Sequence, residues 1–144
     1  IWVDPHAAGI VFNSGVPITM FPLDVTSQVL VTAERLAQIQ ALDTPVARAV
    51  AGMLAFYRSR KRIVEAPEGP LHDPCTIAWL LRPELFAGRA CAVQIETESP
   101  RGMGRTWVDW WGTTGEPANA MVMREVDAEG FFALLIERLA RFPA

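Results

Sequence analysis

Lysine is nearly missing from this 144-residue chain: Lys61 stands beside 12 arginines, and the net charge is −3. A nucleic-acid partner asks for a concentrated basic patch. Here the cations are scattered, and the one basic run, RSRKR at 58–62, ends a predicted helix, where positive charge suits the dipole. No nucleic acid is expected as partner. Cysteine is scarce too: Cys75 and Cys91 have no Cys-x-x-Cys spacing and no histidine cluster, since His6 and His72 are the only histidines. That argues against a zinc framework and leaves two apolar-flanked thiols, read as reduced core residues of a cytoplasmic protein. No apolar run reaches the ~18 residues that span a bilayer, so no membrane partner is expected. An initiator Met is also lacking. The chain opens at Ile1 inside an apolar stretch and reads as a piece of something longer, so the lack of a signal peptide says nothing about localisation.

What is abundant is apolar surface. Apolar side chains make up 51% of the chain before its 10 glycines are added, and mean hydropathy is +0.20. One domain of this length buries about two thirds of its surface. The excess predicts a covering element or a large partner interface.

Helix and strand signals interleave, which favours an α/β class. Asp4-Pro5 opens a helix that Gly15 stops; VPITMFPL (16–23) reads as a short strand ended by Pro22; DVTSQVLV is ambiguous. Thr32 caps a helix over 33–42, and Thr44-Pro45 opens another. In that second helix Val46, Val50, Met53, Leu54 and Tyr57 form one apolar stripe. Residues 63–72 read as a loop leading to DPCTIAWLLRPELF, a helix broken near Pro83. ACAVQIE (90–96), TWVDWW (106–111) and NAMVMREV (119–126) are strands, with Asp127 capping a last helix that carries Phe131, Phe132, Leu135, Ile136 and Leu139. Two of the late strands lie close together with only a loop between, so part of the sheet is expected to be antiparallel.

GPLHDPCTIAWLL (69–81) holds the chemical question. Asp73 before Pro74 is a sufficient helix start, and Asp4-Pro5 repeats the same pattern. Against that, adjacent side chains at a helix start splay from a common point. Asp73 could hold a hard cation while His72 reaches a substrate group. Pattern leaves both readings open. RGMGRT (101–106) leads into a strand and not a helix, so it is a glycine-rich turn and no phosphate loop. Trp107, Trp110 and Trp111 read as core or interface aromatics, Tyr57 as packed, and Ser14 and Ser59 lack the surroundings of a serine nucleophile.

Five stretches in order resemble the second half of the inosine-uridine-preferring nucleoside hydrolases. They are residues 1–26, PLHDPCTIAWLLRPELF (70–86), GRTWVDWWG (104–112), PANAMVMREVD (117–127) and FFALLIERL (131–139), with His6 where the family commonly has Glu. The resemblance implies a Rossmann-like α/β fold, with a mostly parallel central sheet flanked by helices. Residues 1–144 would be the C-terminal portion of a single domain whose N-terminal metal-binding half is absent. It implies hydrolysis of the N-glycosidic bond of ribonucleosides with one Ca²⁺ holding a water and the ribose hydroxyls. Asp73 takes the role of a calcium ligand and His72 that of the proton donor to the departing base, with Tyr57 a possible substrate contact. The family's DxDxxxDD stretch and ribose-binding Asn do not occur here, so the Ca²⁺ site is incomplete and the chain by itself is expected to be inactive. A homo-oligomer is expected, and base preference is not legible. The rival reading is a non-catalytic ligand-binding or assembly module with His72-Asp73 as a plain helix start. A further rival is a different hydrolase whose metal site another subunit completes.

Overall fold

The computed structural model describes residues 1–59 and 68–143. It is an α/β fold that divides into two compact units, Ile1–Met20 with Gly88–Met123 and Phe21–Ala87 with Arg124–Ala144. The elements are α1 (Pro5–Phe12), β1 (Thr19–Met20), α2 (Leu23–Thr26), α3 (Ala33–Gln40), α4 (Pro45–Ser59) and α5 (Pro74–Leu81). A 3₁₀ turn (Pro83–Leu85), β2 (Phe86–Ile95), β3 (Thr106–Asp109), β4 (Ala120–Val126) and α6 (Ala128–Leu139) complete them.

The first unit holds a mixed sheet in the order β1-β4-β2-β3. β1 runs parallel to β4, with Thr19 opposite Met121, whereas β2 and β3 form the antiparallel pair that the close spacing of the late strands predicts. Period-two alternation puts Cys91 and Val93 inward from β2, where they meet Phe12, Met20, Ala120 and Val122. Asn119 locks this core by accepting from the Val93 N–H (2.8 Å) and donating to the carbonyls of Val93 (2.9 Å) and Phe12 (3.1 Å). The 101–106 segment is indeed a turn into β3. Gly104, at φ +78°, passes so close to Trp2 that a Cβ would stand 2.8 Å from the Trp2 Cα. Trp110 joins the core edge; Trp107 and Trp111 are exposed.

The second unit is helical. Thr32 and Asp127 cap α3 and α6 through Arg35 N–H (3.2 Å) and Gly130 N–H (3.0 Å). Two faces differ from the sequence pattern. On α4 the buried positions are Ala47 and Ala51, not the Val46–Tyr57 stripe: Met53 and Tyr57 are exposed. The small alanines let α3 approach closely, turning the larger residues to the flank. On α6 Leu134 is buried with Phe131, Phe132 and Leu139, while Leu135 and Ile136 are half-buried. DVTSQVLV resolves as the short α2 followed by Val29 and Val31, both fully buried. The expected loop at 63–72 lies partly outside the described residues.

Candidate active site

His72 and Asp73 sit at the entry to α5, and tertiary contacts hold them there. The segment 69–71 pairs antiparallel with 29–31: Val31 N–H donates to the Gly69 carbonyl (3.1 Å) and Leu71 N–H to that of Val29 (2.9 Å). Burying Val29 and Val31 stabilises this pairing by roughly 1.5–3 kcal/mol each. Arg35 braces the same strip. Its guanidinium donates to the Leu30 carbonyl (2.7 Å), pairs with Glu129 and lies 4.4 Å over the Phe132 ring. On the other side of His72, Cys75 is fully buried and its thiol donates to the Leu71 carbonyl (3.1 Å).

His72 is half-buried, and its Nδ1 lies 2.7 Å from the hydroxyl of Thr26, the last residue of α2. No hydrogen bond to the other ring nitrogen occurs among the described residues. Asp73 follows with helical backbone angles (φ −61°, ψ −40°) and makes no capping hydrogen bond. Its carbonyl accepts from Thr76 N–H and from the Thr76 hydroxyl, but its carboxylate has no hydrogen-bond or ion-pair partner among the described residues. This separates Asp73 from the other aspartates that begin helices. Asp4 accepts from Ala7 N–H (2.9 Å) and Asp127 from Gly130 N–H. Asp109 is engaged as well, taking four bonds from Thr113 and Thr114 that hold its carboxyl well below the usual range. Asp73 thus stands before Pro74 at the start of α5 without the side-chain cap that Asp4 and Asp127 make.

Tyr57 reaches the same region. It is 43% exposed, not packed on the α4 stripe, and its ring lies over Gly69 so closely that a Cβ there would meet it at 3.1 Å. Gly69 also has φ +53°, a left-handed conformation that glycine adopts without strain. The structure thus brings Tyr57 beside the strip that delivers His72. Thr26, 46 residues from His72, was not legible as a site residue; the only signal is that it closes the first matching stretch, in FPLDVT.

A Ca²⁺ site can be tested against these residues. Asp73 could serve as one ligand, being an exposed carboxylate without a partner among the described residues. No group of three or more His, Cys, Asp or Glu suited to a metal occurs among the described residues, and Ca²⁺ takes six to eight oxygens.

Burial pushes the Cys75 thiol up to about 11, with the nearby Asp73 charge adding to the rise. Cys75 should resist iodoacetamide at pH 8 in the folded chain and react once urea unfolds it, as peptide mass mapping would record. Its contribution to stability is complete below the ordinary thiol pKa near 9 and is lost as pH rises through about 11, because the unfolded thiol ionises first. Rapid labelling in the folded state would refute this.

The α/β fold is one that solved structures share. A purine-preferring ribonucleoside hydrolase from Gardnerella vaginalis superposes with a TM-score of 0.81 at 31% identity, covering 94% of this chain and 43% of that one. The inosine-uridine preferring nucleoside hydrolase family matches residues 1–133, and the chain belongs to that family. Among curated relatives, the pyrimidine-specific ribonucleoside hydrolase RihA of Shewanella oneidensis is 49% identical over 144 residues, 99% of this chain and 45% of its own length. RihA of Photobacterium profundum is 48% identical, covering 99% of this chain and 46% of itself. The chain spans a little under half the length of these relatives.

Proposed function

We propose that residues 1–144 are the C-terminal portion of a single nucleoside-hydrolase domain and supply the leaving-group side of its active site. The reaction is hydrolysis of the N-glycosidic bond of a ribonucleoside to free base and ribose. The observation that carries this is the uncapped Asp73 carboxylate beside a His72 ring whose Nδ1 is already engaged.

His72 donates a proton to the base nitrogen as the glycosidic bond breaks, a role an imidazole commonly takes in general acid catalysis. Tyr57 lines the approach from the Gly69 side. Asp73 offers its carboxylate as one ligand to Ca²⁺, and the remaining oxygens come from segments outside these 144 residues. Such an ion, when bound, supplies Lewis-acid polarisation and a template for the ribose hydroxyls. The 144-residue chain by itself is inactive on this reading. Its exposed apolar residues, among them Trp2 and Ile10 near α1 and Ile77 and Leu80 on α5, are covered by the rest of the domain and by other copies in a homo-oligomer. No helix among the described residues is long and apolar enough to cross a membrane, and the two unpaired cysteines suit the cytoplasm. The pyrimidine-specific ribonucleoside hydrolases among its relatives, 49% identical over 99% of this chain, favour a pyrimidine ribonucleoside as substrate.

The test is release of free base from cytidine, uridine and inosine, with and without a calcium chelator. The protein translated from the whole reading frame around this chain is assayed beside the 144-residue chain. Calcium-dependent turnover by the former alone is expected, with kcat/KM for cytidine or uridine about tenfold or more above inosine, ~1.4 kcal/mol of discrimination. No base release from the whole-frame protein in Ca²⁺ would defeat the proposal.

A further inference from the structure

Arg35, in the first turn of α3, holds three unlike partners with a side chain only 12% exposed. Its Nη1 donates to the Leu30 carbonyl (2.7 Å), its Nη2 pairs with Glu129 in the first turn of α6, and its face lies 4.4 Å over the buried Phe132 ring. The Glu129 side chain is 85% exposed, so water screens that pair and it holds little. The bond to Leu30 is shielded and charge-assisted, which makes it the stronger of the two polar contacts.

Leu30 is the point at which the 29–31 strip needs holding. Val29 and Val31 make the ladder bonds to 69–71, so the Leu30 carbonyl between them turns to the opposite edge, where Arg35 meets it. Two ladder bonds across three residues are too few to stand alone in water. The segment they fix runs directly into His72 and Asp73. We propose that Arg35 is a positioning residue for the His72-Asp73 pair. Its planar guanidinium clamps the outer edge of the 29–31 strip and, through the pairing with 69–71, fixes where α5 begins. The effect on turnover rests on the hydrolase reading given above. A planar fork is required because one rigid group must reach the carbonyl, pair with Glu129 and lie flat on Phe132 at once. An ammonium meets these demands one at a time. Without the clamp Val29 and Val31 stay in the core, but the backbone between them is free to shift. A misplacement of about 1 Å caused by a residue remote from the chemistry can cost about 100-fold in rate.

The experiment pairs steady-state kinetics with amide hydrogen exchange on the whole-frame protein, comparing Arg35→Met, Arg35→Lys and Glu129→Gln. Arg35→Met keeps an apolar stem on Phe132 and loses both polar contacts. It should lower kcat on a ribonucleoside by about 10–100-fold with KM changed less than about twofold, since substrate binding is left intact and alignment is not. Exchange of the Val31 and Leu71 amides should quicken by about tenfold or more, while α6 amides such as Phe131 N–H, bonded to the Asp127 carbonyl, keep their wild-type rates. Glu129→Gln should match wild type in both readouts. Arg35→Lys should show the Arg35→Met pattern at smaller amplitude, and it decides the matter if Arg35→Met fails to fold.

Unchanged kcat in Arg35→Met, wild-type behaviour of Arg35→Lys, or a loss in Glu129→Gln as large as in Arg35→Met would each overturn the proposal. So would faster exchange spread evenly over the strip and α6, which would make Arg35 a stability residue only. Absence of nucleoside turnover in the wild type, with Arg35 variants that still loosen only the strip, would instead refute the hydrolase reading and support the clamp.

Discussion

Replacing Asp73 by Asn in the whole-frame protein is expected to lower kcat/KM for a ribonucleoside by about 10³-fold or more, some 4 kcal/mol of transition-state stabilisation. Loss of a residue that merely supports a metal ligand costs about 10–100-fold, and loss of a ligand should exceed that. The diagnostic part is what Asp73→Ala leaves alone. A capping aspartate contributes roughly 1 kcal/mol to its helix, and Asp127→Ala, which removes the bond to Gly130 N–H, should show that cost as a lowered Tm. Asp73 makes no such bond, so Asp73→Ala should leave Tm within the scatter expected of an exposed substitution. Isothermal titration with Ca²⁺ should show weakened binding in Asp73→Asn. A large Tm loss in Asp73→Ala with full activity would return the residue to the role of helix start.

His72→Ala should cost about 10²–10⁴-fold in kcat on a nucleoside, the usual worth of a positioned proton donor. On 4-nitrophenyl riboside the loss should be at least tenfold smaller, because nitrophenolate needs no proton to leave. The pattern across the two substrates, and not the loss on either one, assigns the role. Uniform losses would mean that His72 binds the base or shapes the pocket without donating to it. The variant also removes the nearer partner of a buried hydroxyl and leaves Thr26 only the longer bond to the Pro22 carbonyl, so a loss of stability of about 0.5–1.5 kcal/mol is expected. Circular dichroism melts separate that effect from the chemical one, since it acts equally on both substrates.

Much of this architecture is written locally. Asp4-Pro5, Thr32 and Asp127 each supply an acceptor to a first-turn N–H within three residues, and the helices begin where those caps stand. Cys91 and Val93 alternate inward from β2 because strand geometry alone requires it. The ordered set of five matching stretches identified the family, and the His72-Asp73 pair could be singled out, although not assigned, from its place before α5. Pattern could not choose between helix start and ligand, since the same dipeptide logic serves both.

The sequence by itself determined the helix starts, the strand faces and the family to which these 144 residues belong. Tertiary structure decided which face of α4 is buried, because Ala47 and Ala51 allow a close approach that hydropathy ranks below Val46 and Met53. It also decided that Asp73 is uncapped, since that depends on helical backbone angles at a residue whose side chain could equally have turned inward. Above all it decided the Thr26–His72 contact. A hydrogen bond across 46 residues leaves no periodicity to read; it exists because two buried valines pin one strip of backbone against another and carry a hydroxyl and an imidazole to 2.7 Å.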